Sequence, residues 1–320
     1  MLEKALLVQR VTCTEVGSIA SIRLRKSMMR VLGGLGDWQG VRSQGEIIQA
    51  ALRDDTDRLA DALENNPEWA MALVRTGEVA AGIQLLLEAL AAIDEPEGID
   101  HYAGAELRGL LAIAEMESGR TEQALATFRK ALPTLLDADF GSAGRPGQAE
   151  RTYRLQSILE AYLTLLASLR ETPITQRAGI DPVTEMFETV AVMDGGRVRS
   201  ALGASARRAA ASDPRLADLV RREQDAEQEI DITLSAFLSL PNLDPRRNEL
   251  KQRMAKLEAA RTSINAEINA SFPDFSSLTR SARPSITEVR ARLKPGQALL
   301  TYHVTENQTY LWGLSVCPGS

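Results

Sequence analysis

Aromatic residues make up only 4% of this chain, and cysteine and histidine occur twice each. Each scarcity excludes something. Cys13 and Cys317 show no metal-ligand spacing and form no disulfide framework, which points to a reducing compartment and to a cytoplasmic chain. GxSxG, HExxH, CxxC and Walker sequences are all missing. No catalytic, cofactor-binding or metal-binding residue is therefore assigned, and no cofactor is expected. Long apolar runs are missing too. The opening MLEKALLVQRVTCTEV has no extended apolar core after Lys4, so it makes a poor signal peptide. The most apolar window, Ala70 to Ile93, is interrupted by Arg75, Glu78 and Glu88, which excludes a membrane span there. A net charge of −6 argues against bulk binding of nucleic acid.

What the chain does have is helical pattern. Its 320 residues, 44% apolar and 25% charged, suit two domains or one elongated repeat array. An internal repeat stands out between residues 61 and 133. Gly77 matches Gly119, Gly82 matches Ala124, Leu86 matches Phe128, Ala89 matches Ala131 and Leu90 matches Leu132, always 42 residues apart. Each unit reads as a helix, a Gly-containing turn and a second helix on which small and large residues alternate at spacings of four and three. Small residues let paired helices approach, and large ones fill the groove. This resembles the tetratricopeptide repeat, with a period longer than its usual one of about 34 residues. Helices or linkers must then be longer. A weaker unit centres on Gly36 and Trp38, 41 residues before Gly77. The glycine cluster Gly33 to Gly40 fails the dinucleotide template, with Gln39 where a glycine is required, and reads as a turn. Stacked units imply a concave surface for a protein or peptide partner. The acidic run from Arg53 to Glu68, six acids against two arginines, reads as a solvated face.

Beyond a turn-rich linker at 138–146, helices resume near Gln148, and Asp181 is placed to cap a helix begun by Pro182. Residues 196–222 carry seven arginines and two aspartates, a local net of +5 that suits a solvated or carboxylate-paired face. One long helix should start at Asp213-Pro214 and a second run from Pro245 to Ala270. Leu250, Met254, Leu257, Ile264 and Ile268, with Arg261 at the missing place, face Leu216, Leu219, Ala226, Ile230 and Phe237 in an antiparallel hairpin with a coiled-coil-like seam. Ser285 and Glu288 spell a capping box. Gln297–Val304 and Thr309–Val316 then read as a β-hairpin, which needs a helix or further strands for stability.

From about Glu188 to Leu314 the order of these segments is similar to the junction between tetratricopeptide repeats and a CHAT domain, a caspase-like module associated with such repeats in bacteria. The carrying segments are RVRSALGASARRAAASDPRLADLVRREQD, the helical hairpin, FPDFSSL and ITEVRARLKPGQALLTYHVTENQTYLWGLS. The resemblance implies a caspase-like α/β fold and a His–Cys dyad for peptide cleavage downstream of the opening strands. His101, His303, Cys13 and Cys317 match none of its motifs, so no catalytic role is carried over. The expected fold is mostly α. It comprises tetratricopeptide-like repeats (1–137), further helices and linker (138–212), a long helical hairpin (213–272) and the start of an incomplete α/β caspase-like domain (273–320). The expected function is a non-catalytic interaction module of a CHAT-family protein. The alternative is the regulatory half of a cysteine peptidase whose catalytic part is supplied in cis or in trans.

Overall fold

The computed structural model describes residues 16–64, 66–93, 102–137, 148–193, 213–240, 244–273, 275, 285–305 and 307–316. The linker at 138–146, most of the arginine-rich stretch, His101, Cys13 and Cys317 lie outside these. The elements in chain order are α1 (Ile19–Gly34), α2 (Trp38–Ala51), α3 (Thr56–Leu63), α4 (Pro67–Arg75), α5 (Val79–Ile93), α6 (Tyr102–Glu117), α7 (Thr121–Asp137), α8 (Gln148–Leu169), α9 (Pro173–Arg177), α10 (182–193), α11 (Pro214–Ser239), α12 (Arg246–Ser271), α13 (Ile286–Arg292), β1 (Ala298–Val304) and β2 (Thr309–Ser315). They form two compact units, Met1–Leu135 with Pro146–Leu165, and Leu136–Arg145 with Leu166–Ser320.

In the first unit the helices are paired, and the sequence shows why. Gly77 and Gly119 stop α4 and α6 with φ of 101° and 76°, a region that glycine alone enters at no steric cost. Gly77 donates its N–H to the Val74 carbonyl, and Glu78 donates to the Leu73 carbonyl. The same two bonds recur at Gly119 and Arg120, and again after α1 at Gly36 and Asp37. Five, nine and twelve residues past each of these stops, the side chains enter the core. Gly82, Leu86 and Ala89 are buried in α5, Ala124, Phe128 and Ala131 in α7, and Val41, Gly45 and Ile48 in α2. The set in α2 inverts the bulk, large–small–large in place of small–large–small. The gap at Gly45 is filled from the next pair, because a methyl there would lie 2.2 Å from the Trp69 ring. A methyl on Gly82 would lie 2.5 Å from the Ala70 carbonyl oxygen, so α4 and α5 approach backbone to backbone there. The long period is taken up by helices of 15, 16 and 17 residues in α5, α6 and α7, and by the eight residues 94–101 between α5 and α6. Arg75 pairs with Glu117, 42 positions on, and Arg42 pairs with Glu78, tying successive turns together.

In the second unit, Pro214 starts α11 beneath the Asp213 carboxylate, which accepts the N–H groups of Arg215 and Leu216. The antiparallel partner α12 buries Met254, Ile264 and Ile268 against Leu216, Leu219, Ala226 and Phe237. Leu257, Leu250 and Ile230 are half-buried. Arg261 reaches across the seam to Glu223 at 2.7 Å and Glu227 at 3.6 Å, a polar rung among the apolar ones. A further seam residue carries no apolar signal. Arg247 is buried and lies over the Phe237 ring at 3.8 Å. It also donates to the Phe237 and Leu240 carbonyls at the end of α11, the first of which already accepts the Leu240 N–H. The capping box of Ser285 and Glu288 forms at α13 as expected. The two strands pair antiparallel from Ala298↔Ser315 to Val304↔Thr309.

Candidate functional site

Each unit has one place that bears on partner binding. In the first unit, α4 is buried from Glu68 to Val74 and α6 is buried along Gly104–Leu107 and Gly109–Glu115, so these inner helices have no open apolar face. What they hold is an ion cluster. Arg154 of α8 lies 2.6 Å from the Glu68 carboxylate and 3.0 Å from that of Glu106. Glu68 belongs to the run read from the sequence as a solvated face; it is instead 8% exposed, because α8 covers it and Arg154 neutralises it. One guanidinium shared by two buried carboxylates leaves the second under strain. Burial pushes the Glu106 carboxyl above the usual carboxylate range, against the pull of Arg154. Nearby, burial also raises the Tyr102 hydroxyl, whose ring lies 5.5 Å from the Arg151 guanidinium. Lys26 of α1 is lowered by burial while its ammonium donates to the Asp61 carbonyl at 3.3 Å. The cluster fixes how α4, α6 and α8 register. It offers a ligand little open surface.

The hairpin in the second unit is different. Tyr310, Trp312 and Leu314 alternate inward with their cross-strand partner His303 and are buried. Trp312 is held from two sides, edge-on to Phe187 of α10 at 6.1 Å and by an indole N–H donated to the Val183 carbonyl at 3.3 Å. The helix the hairpin needs for stability is therefore α10, capped as expected by Asp181 through the Val183 N–H. Among the described residues, nothing covers the other face of the sheet. Leu300, Tyr302, Val304 and Leu311 are 66%, 64%, 61% and 63% exposed, and Tyr302 pairs directly with Leu311. Four large apolar side chains on one small face are unlike the singly scattered apolars of an ordinary surface. A cleft of about 480 Å³ opens beside β2, against Val183 and Met186 of α10 and the Arg170–Glu171 corner.

The sequence assigned no catalytic, cofactor or metal residue. Among the described residues, no group of three or more His, Cys, Asp or Glu is placed to hold a metal ion. His303 is 8% exposed and points into the packed side of the hairpin, opposite to Tyr302. No helix of the described residues is long and apolar enough to cross a membrane. The exposed sheet face was partly foreseeable from the strand alternation. The cluster at Arg154 was not, since its partners lie 86 residues apart and periodicity says nothing about them. Comparison with protein-family models, with curated proteins and with solved structures gave no match to this chain.

Proposed function

We propose that this chain is a protein-interaction module without chemistry of its own, the repeat and junction part of a CHAT-family protein acting in the cytoplasm. The observation that carries the reading is the outward face of the hairpin, where Leu300, Tyr302, Val304 and Leu311 are all more than half exposed. A two-stranded sheet with one helix behind it is a minimal sheet, and a contiguous exposed apolar face marks an interaction surface. The order of paired helices, helical hairpin and β-hairpin supports the family reading. The helical repeats would take a second protein or peptide partner; neither a membrane nor nucleic acid enters the proposal.

The same face favours a second reading. The cover would be the rest of an α/β sheet domain, the catalytic part of a caspase-like peptidase in cis or in trans, with this chain as its regulatory half. A photo-crosslinking residue at Tyr302, with exposed Arg53 as the control position, tests both in the source cell. An adduct of the 34.9 kDa chain with one defined polypeptide from Tyr302 alone supports the module. A native product much heavier than 34.9 kDa, in which Tyr302 crosslinks within its own chain, supports the regulatory half. No adduct from Tyr302 in a product of 34.9 kDa overturns both.

A further inference from the structure

The edge of β2 makes a separate offer from its face. Thr305 donates its N–H to the Gln308 carbonyl at 2.9 Å, which makes that opposing pair a hydrogen-bonded one. In an antiparallel ladder such pairs alternate with non-bonded ones. With the register running unbroken from Val304↔Thr309 to Ala298↔Ser315, the bonded pairs are His303–Tyr310, Thr301–Trp312 and Leu299–Leu314. Thr309, Leu311 and Gly313 therefore turn their N–H and C=O groups away from β1, along the edge of β2 that no strand among the described residues pairs with. The cleft of about 480 Å³ is lined by Thr309–Trp312 and by no residue of β1, so it lies on that edge. Its volume falls in the range of ligand pockets.

Val183 and Met186 of α10 give the cleft an apolar lining, and Arg170 and Glu171 line it too. Those two charges touch at 3.7 Å with side chains 62% and 87% exposed, a loose pair that a competing carboxylate can displace. A row of strand donors and acceptors, an apolar wall and an available guanidinium match one chemistry. We propose that the cleft receives an extended peptide segment of a partner protein, which adds to β2 as a third strand and sets an acidic side chain against Arg170. Backbone pairing supplies the affinity in such strand addition, and the wall and the charge supply the selectivity. The site does not rest on the outward face being covered, since edge groups and face side chains point in different directions.

The probe is a blocked heptapeptide, acetyl-Thr-Val-Glu-Val-Thr-Val-Thr-amide, titrated into the full isotope-labelled chain. Hydrogen exchange of the Thr309 and Leu311 amides should slow by about tenfold or more at saturation, while the Tyr310 and Trp312 amides, already bonded to β1, stay unchanged. Peptide N-methylated at alternate residues should not bind. Leu311→Pro removes an edge donor that the hairpin does not use and should abolish binding. Val183→Asp, at a residue 38% exposed, should weaken it without depending on the strand backbone. Arg170→Glu should weaken the glutamate peptide about tenfold, a loss of about 1.4 kcal/mol, and a lysine in the glutamate's place should restore it. Unchanged exchange at Thr309 and Leu311, or equal binding of the N-methylated peptide, overturns the proposal. Should Leu311→Pro also release the Trp312 indole from Val183, the N-methylated peptide and Val183→Asp decide.

Discussion

Glu106 is one of two carboxylates buried around the Arg154 guanidinium, and its raised pKa has a sign that can be checked. The folded chain holds a proton on Glu106 at a pH where the unfolded chain, near its ordinary value of 4.5, has released it. In the window above 4.5 the native state thus binds more protons than the unfolded one, so the group's contribution is complete below 4.5 and is lost as pH rises through the folded value. Glu106→Gln should flatten that slope in urea unfolding curves taken between pH 4 and pH 8, a span that runs upward from the usual glutamate value. An unaltered slope would put the titration on another group. Residue identity along the chain gave no sign of this cluster. An acidic residue on a helix is normally solvated, and what buries Glu68 and Glu106 is a helix beginning only at Gln148.

At the scale of elements the paired helices were legible, because turn and groove are written in short-range chemistry. Gly77 and Gly119 mark left-handed stops, and the small–large–small sets after them mark the faces that meet. The close approach at Gly82 makes a quantitative case. Alanine is the better helix former by about 1 kcal/mol, yet its methyl would meet the Ala70 carbonyl oxygen and Val74 Cγ2 at 2.5 Å. Overpacking of this kind costs about 1–3 kcal/mol. Gly82→Ala should therefore lower the stability of the first unit in spite of propensity, whereas a substitution in an open helix would raise it. Chemical denaturation reads the sign directly. The weaker unit at Gly36 was legible in its glycine, but the inverted bulk of Val41, Gly45 and Ile48 was not, because the ring that completes it, Trp69, comes from a neighbouring pair. The helical hairpin was legible in its apolar rungs. Its buried Arg247 was missed, since no pattern marks an arginine that caps another helix while lying on a phenyl ring.

The whole molecule divides into two units, each with a core of its own, around Met29, Val41, Ile48 and Trp69 in one and Leu216, Leu219, Ile264 and Ile268 in the other. Separate cores melt separately when little couples them. Calorimetry should resolve two transitions, with Gly82→Ala lowering one and Leu257→Asp, at the half-buried seam, lowering the other. A single transition shifted by both substitutions would show one cooperative body. Two of the division's cut points, Leu135/Leu136 and Arg145/Pro146, lie beside the linker read at 138–146; the third carries no sequence signal. It falls within α8 itself, whose residues up to Leu165 belong to the first unit and whose last turn belongs to the second.

The ion cluster also has a history in time. Glu68 and Arg154 are 86 residues apart, and a ribosome adds about 5–20 residues each second. Glu68 therefore waits roughly 4–17 s for its guanidinium at that pace, and for the latter part of that wait Glu106 has already been made. Two like charges destined for one buried spot repel each other until α8 arrives. The ion cluster can close only after most of the first unit has been synthesised.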